Sequence, residues 1–124
     1  MEISYSNFFD LLLKEVPEFR TQYDEYVVYS GELIPHPQMG EFARFVIDAY
    51  RKSKSSCDID LRNYNYKIVI NSLNFLEKAM NSSDRMVVNL ISVSFLENLL
   101  GEDVYDEVKV LLGPNLRIEL NNYE

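Results

Sequence analysis

The chain has 124 residues, of which 47% are hydrophobic and 13% aromatic, a composition that excludes an intrinsically disordered chain. Its formal net charge of −8 at pH 7 argues against binding to nucleic acid or to anionic membranes, because both need clustered lysine and arginine. The length predicts a single domain, residues 1–124.

The amino terminus has the features of neither a secretory signal nor a membrane span. It lacks a basic start, and Lys14 and Glu15 interrupt its apolar run. Cys57 is the only cysteine, so an internal disulfide cannot form and a reducing compartment is expected. We therefore expect a cytoplasmic protein.

The first part of the chain has the spacing of two short helices that meet at Pro17. They are expected at 8–16 and from 18 to about residue 30, since proline suits a first helical position. Gly31 lies where a helix end is favoured. A third helix is expected from about Pro37, because its apolar residues follow the spacing of one buried stripe. These residues are Phe42, Phe45, Val46, Ala49 and Tyr50. The opposite face alternates in sign through Glu41, Arg44, Asp48 and Arg51.

The second part of the chain begins with a polar segment, residues 53–63, that predicts one long loop. A helix is expected at 65–81, and residues 84–101 are apolar on nearly every side, which predicts a central helix ending near Gly101. A further stripe, from Val104 to Leu112, ends before Gly113 and Pro114. Residues 115–120 alternate with period two and allow an edge strand, a final helical turn or a packed tail, of which the last two are favoured.

These elements predict an all-α, single-domain bundle of about six helices in antiparallel hairpins. The hairpins at 41–80 and 84–112 are compatible with HEAT-like stacking.

His36, the only histidine, is the first candidate for chemistry. A catalytic histidine needs an orienting carboxylate, and a metal site needs further ligands, but neither accompanies His36 in the sequence. Pro35 and Pro37 flank it, so we interpret it as a cap or turn residue at the start of the third helix. Cys57 is interpreted as an exposed loop thiol. We expect no catalytic residue, no metal and no cofactor.

Two sets of residues are candidates for binding a partner. With a rotation of about 100° per residue, the second helix places one set opposite its predicted buried stripe, which is Phe19, Tyr23, Tyr26 and Val27. This first set is Glu18, Gln22, Glu25 and Tyr29. The second set is predicted to share one face of the last long helix, although acids near a helix start are also favoured by the helix dipole. It consists of Asp103, Asp106 and Glu107.

The charges are unevenly distributed along the chain. Residues 1–50 contain nine acids and three bases, which gives −6, and residues 81–124 contain eight acids and three bases, which gives −5. Residues 51–80 contain six bases and three acids, which gives +3. Two acidic thirds therefore flank a basic middle.

Four segments, "LLKEVPEF", "IPHPQMGEFARFV", "LNFLEKAMNSSDRMVVNLISVSFLENL" and "LLGPNL", resemble a family of small acidic bacterial proteins of unknown function. Its members look like immunity proteins that neutralise polymorphic toxins. The resemblance implies an all-α cytoplasmic protein that acts by binding, and it provides no catalytic residues.

The leading hypothesis is therefore a non-enzymatic, antitoxin-like inhibitor whose acidic surface masks a basic protein such as a cognate toxin. An acidic protein gains electrostatic steering toward such a partner. The alternative is a HEAT-like helical adaptor that binds a peptide or a partner helix. The oligomeric state is left open.

Overall fold

The computed structural model describes residues 2–124, and within this range every regular element is helical. The elements are α1 (Phe8–Glu15), a 3-10 turn (Pro17–Phe19), α2 (Arg20–Ser30), α3 (Pro35–Ser55), α4 (Ile59–Ala79), α5 (Arg85–Ile91), a π-helical segment (Ser92–Leu96), α6 (Glu97–Leu99), α7 (Tyr105–Leu111) and α8 (Pro114–Asn121). The predicted all-α fold is confirmed. Residues 115–120 are helical, so the edge-strand alternative is wrong.

Helix α3 lies at the centre of the bundle, where it contacts α2, α4, α5, the π-helical segment and α6. The sequence pattern predicted instead that residues 84–101 form the central helix. That stretch is continuous from α5 to α6, but it exposes 55% of Met86 and 42% of Val93. The stripe on α3 is broader than predicted, because the small residues Gly40 and Ala43 are also buried and let neighbouring helices approach.

The connection between α3 and α4 is much shorter than the predicted loop of residues 53–63. Helix α3 continues to Ser55 and α4 begins at Ile59. The Asp58 carboxylate caps α4 by accepting hydrogen bonds from the backbone N–H groups of Asp60, at 2.9 Å, and Leu61, at 3.4 Å. The two helices therefore form a long hairpin, and we call its end, residues 51–67, the hairpin tip.

Two glycines occupy positions where a side chain would be strained or would not fit. Gly31 ends α2 with φ of 82°, in the left-handed region, as predicted. A Cβ atom on Gly113 would lie 2.5 Å from the Glu77 side chain. The Glu77 carboxylate caps α8 through the backbone N–H groups of Asn115, at 2.9 Å, and Leu116, at 3.0 Å. Gly101, in contrast, lies in the turn after α6, which has Leu100 as its C-cap.

Candidate functional site

Helix α2 lies on the surface of the bundle. None of its residues is fully buried, and Tyr23, Tyr26 and Val27, predicted to be buried, are half-buried. Phe19, in the preceding 3-10 turn, is buried as predicted. Its ring centroid lies 5.0 Å from that of Phe42 in the core. A depression lies between α2 and α3.

Two glutamines fix α2 to α3. The amide of Gln22 donates to the backbone carbonyl of Glu41 at 3.2 Å and to its carboxylate at 3.0 Å. The amide of Gln38, which is fully buried, donates to the carbonyl of Tyr23 at 3.1 Å. Gln22, expected on the outer face of α2, therefore points toward α3 and helps to set the distance between the helices.

Two adjoining depressions follow the outer face of α3. The first, of about 310 Å³, is lined by Gln22, Glu25, Tyr26, Tyr29 and Glu41. The second, of about 360 Å³, is lined by Gln22, Glu41, Arg44, Phe45, Ile47, Asp48, Arg51 and Glu102. Because Gln22 and Glu41 line both, the two depressions adjoin at the hydrogen-bonded Gln22–Glu41 pair, and we call them together the α2–α3 groove.

The groove is lined by four carboxylates and two guanidinium groups, and both cations are already paired. Arg44 lies 3.2 Å from Glu41, and Arg51 lies 2.8 Å from Glu102 and also contacts Asp103. Glu25 is exposed and forms no ion pair with any residue in 2–124. The groove is therefore acidic, and its unneutralised charge lies at the α2 end.

The first predicted set, on and near α2, divides in the structure. Glu25 and Tyr29 line the groove, and Tyr29 is 85% exposed. Glu18 belongs to the 3-10 turn rather than to α2, and one of its carboxylate oxygens is buried with no hydrogen-bond partner among residues 2–124. Glu18 therefore does not continue the outer face of α2 as predicted.

The second predicted set does not form one free acidic face. Asp103 lies in the turn before α7, where its ion pair with Arg51 lowers its pKa. Glu107 accepts a hydrogen bond from the Tyr50 hydroxyl at 2.8 Å. Burial, together with this hydrogen bond, raises the pKa of Tyr50 to about 12. Asp106 is exposed and lines neither part of the groove.

The sequence pattern did not indicate that α3 contributes to the site. The face of α3 opposite its buried stripe, on which the charges alternate in sign, lines the groove through Glu41, Arg44, Asp48 and Arg51. The pattern also did not predict an exposed apolar corner beside Tyr29, where α2 turns into α3. Val28 is 82%, Leu33 42% and Ile34 38% exposed. These three residues lie outside every predicted buried stripe, and this position was the sequence signal that could have indicated their exposure.

His36 does not cap a helix, which corrects the interpretation from the sequence. It is the second residue of α3, whose N-cap is Ile34, and its Nδ1 lies 2.6 Å from the hydroxyl oxygen of Ser94 in the π-helical segment. The pair joins the start of α3 to the α5–α6 stretch, and neither residue lines the α2–α3 groove.

Cys57 is exposed, as expected. Among residues 2–124, no cluster of three or more His, Cys, Asp or Glu residues has the arrangement of a metal site. In the same range, no helix combines the length and the hydropathy that crossing a membrane requires.

A family model described as "Domain of unknown function (DUF7674)" matches residues 9–124. The match covers nearly the whole chain, which therefore belongs to this family. Comparison with curated proteins found no match, and comparison with solved structures found none.

Proposed function

We propose that this member of the DUF7674 family is a non-catalytic binding protein, similar to an immunity protein, that inhibits a basic toxin by covering it with the α2–α3 groove. The observation that supports this proposal most strongly is that the two depressions of the groove adjoin on one side of the bundle. The first is lined by the exposed Tyr29 and the second by the carboxylate of Glu102.

The α2 end has the composition of a protein-binding surface. Tyr29 exposes 85% of its side chain, although an aromatic ring of this size usually packs into a core. Tyrosine is enriched among the residues that contribute most to binding energy, because it offers a large contact area with few rotatable bonds. Val28 and Leu33 add apolar area next to it.

The charge of the groove favours a cationic partner. Its two arginines are paired with neighbouring carboxylates, whereas Glu25 is unpaired within residues 2–124. The net charge of −8 adds a long-range attraction, which increases the association rate with a basic protein. We expect binding alone to inhibit the partner, with no cofactor and no reaction, and we expect the encounter in the cytoplasm.

The test uses the protein encoded by the gene adjacent to the one for this chain, purified as a basic domain. In the double variant Glu25→Lys with Asp48→Lys, both substitutions lie in the groove. We expect association to slow by about tenfold and its salt dependence to weaken, because exposed charges at an interface act mainly on the association rate. Stopped-flow mixing at low and at high salt measures both.

The matched control is Glu97→Lys with Asp106→Lys. Both residues are exposed, both lie outside the groove, and the change in net charge is the same. Equal slowing by the control would show that the overall charge, rather than the groove, steers the partner. Binding that neither double variant changes would argue against the groove. Salt-insensitive binding of an amphipathic helical peptide would favour the adaptor instead.

A further inference from the structure

The hairpin tip has a composition opposite to that of the rest of the chain. Residues 51–67 contain five bases and two acids, which gives +3, so the remaining residues carry −11. Arg51 and Lys52 pair with Glu102 and Asp48 outside the tip, so the available positive charge of the tip is on Lys54, Arg62 and Lys67. The tip also exposes four large apolar side chains: Ile59 by 56%, Leu61 by 52%, Tyr64 by 52% and Tyr66 by 40%. A basic, aromatic surface therefore projects from an acidic protein.

Packing within the chain does not explain these side chains. From Ile59 to Lys67 no residue is fully buried, and the core on α4 begins at Ile68. The start of the helix is fixed by its Asp58 cap. At about 100° per residue, Ile59 and Tyr66 share one face of α4, and Leu61 and Tyr64 share another. Exposed apolar patches of this kind are typical of surfaces that bind another macromolecule.

The chemistry of the tip favours an acidic protein surface over nucleic acid. The side chains of Lys54, Arg62 and Lys67 would attract an acidic protein or a nucleic acid. None of the three forms an ion pair within residues 2–124. However, Asp58 and Asp60 lie among them and would repel phosphates, which also meet a chain of net charge −8. The exposed apolar side chains require an apolar contact on the partner, which a phosphate backbone does not provide.

We propose that the hairpin tip docks into the α2–α3 groove of a second copy of this chain. The groove provides the complement that the tip requires, because it combines the negative charge of Glu25, which has no ion pair within residues 2–124, with the exposed ring of Tyr29. The charge of the tip is opposite in sign to that of the groove, so their contact relieves the repulsion between two acidic chains.

The position of both surfaces along α3 favours a closed dimer. Glu41 in the groove and Lys54 in the tip belong to the same helix, and at 1.5 Å per residue they lie roughly 20 Å apart. Two copies with antiparallel α3 helices, related by a twofold axis, can place each tip on the groove of the other. Such a contact is self-complementary and ends at two chains.

This inference shares the groove with the proposed function but does not require the toxin. Self-association is measured with the purified chain alone, and the toxin experiment is measured separately. A chain that remains monomeric would overturn the inference and leave toxin binding possible. A chain that dimerises but does not bind the toxin would overturn the proposed function and leave the inference standing. If both hold, the second copy and the toxin compete for the groove.

The experiment is sedimentation velocity over a range of concentrations at low and at high salt. We expect a dimer at low salt that dissociates at high salt. The tip variant, Lys54→Glu with Lys67→Glu, and the groove variant, Glu25→Lys with Asp48→Lys, should each raise the dimer Kd by about tenfold or more. Mixing the two variants should restore association, because each reversed surface then meets a reversed partner.

The control is Lys14→Glu with Lys78→Glu, which are exposed lysines outside the tip and should leave the dimer intact. The variant Tyr64→Ser changes no charge but removes an exposed aromatic ring from the tip, and it should weaken the dimer as the tip variant does. A wild-type chain that stays monomeric at every concentration, or variants that do not associate when mixed, would overturn the proposal. Salt-sensitive binding of a labelled DNA duplex to the tip, lost in the tip variant, would overturn it in favour of nucleic acid.

Discussion

The two ends of the α2–α3 groove contain similar residues with different roles. At the α2 end, Glu25 and Tyr29 are exposed and make no polar contact with α3. At the other end, which we call the α7 end, Glu102 lines the groove and pairs with Arg51. Outside the lining, Asp103 pairs with the same arginine and Glu107 accepts a hydrogen bond from the Tyr50 hydroxyl. An acidic residue is therefore available to a partner only where the neighbouring helix offers it no cation or hydroxyl. We infer that the α2 end binds and the α7 end maintains the shape of the groove.

The largest expected effect is at the α2 end. Tyr29→Ala should weaken binding of the toxin partner by about 1–3 kcal/mol, mainly through faster dissociation, because it removes an exposed aromatic ring from the proposed contact. The melting temperature should not change, since Tyr29 is 85% exposed. Surface-based binding kinetics and thermal melts of the same samples measure the two effects.

Ile118→Ala is the control for that prediction, because Ile118 is 67% exposed on α8 and does not line the groove. Ile118→Ala should change neither the binding of the toxin partner nor the melting temperature. A Tyr29→Ala variant with a lower melting temperature and unchanged binding would reverse the roles assigned to the two ends.

The second effect is on stability and concerns the α7 end. Tyr50→Phe removes the hydroxyl that Glu107 accepts and should lower the free energy of unfolding by about 1 kcal/mol, the usual scale of one such hydrogen bond. Urea denaturation of Tyr50→Phe, Glu107→Gln and the double variant forms a double-mutant cycle. Additive losses would mean that the two residues do not interact.

The same tyrosine makes a prediction about alkaline pH. Burial and the Glu107 hydrogen bond raise the pKa of Tyr50 to about 12 in the folded chain, and the pKa of Tyr105 is also raised to about 12, first by burial and then by Glu124. A raised folded pKa stabilises the protein fully below the ordinary tyrosine value of about 10. This stabilisation is lost as the pH rises from there through the folded pKa.

The measurement is the midpoint of urea unfolding between about pH 9 and pH 12, where the ordinary tyrosine value lies. The wild-type midpoint should fall over this range, and the midpoint of Tyr50→Phe should fall less because one of the tyrosines with a raised pKa is absent. Identical slopes for the two proteins would contradict the environment described for Tyr50.

The smallest effect is on a single ionisation at the α7 end. The hydrogen bond and charge of Arg51 lower the pKa of Asp103, so their pair exists above the ordinary aspartate value and is lost as the pH falls through the folded pKa. Arg51→Met should raise the pKa of Asp103 toward its ordinary value, as followed by carboxyl NMR. Lys52→Met, which removes the partner of Asp48 instead, should not.

Much of the fold could be predicted from the sequence because its signals are local. The apolar spacing around Phe42 predicted α3, and Gly31 marked the end of α2. The start of α4 was also readable, since Asp58 caps the two N–H groups that follow it, but the polar composition of residues 53–63 suggested a loop. A polar sequence can remain helical where both sides face water and a cap fixes its start.

The sequence by itself thus determined the helices, their amphipathic faces and the charge of the surface, because each depends on residues within one or two turns. Only the tertiary structure decided which acidic residues remain free. Gln22 meets Glu41, Arg51 meets Asp103 and Tyr50 meets Glu107, all across different elements. Such pairs depend on how α2 and the turn before α7 pack against α3, and helical periodicity does not encode the distance or the angle between two helices.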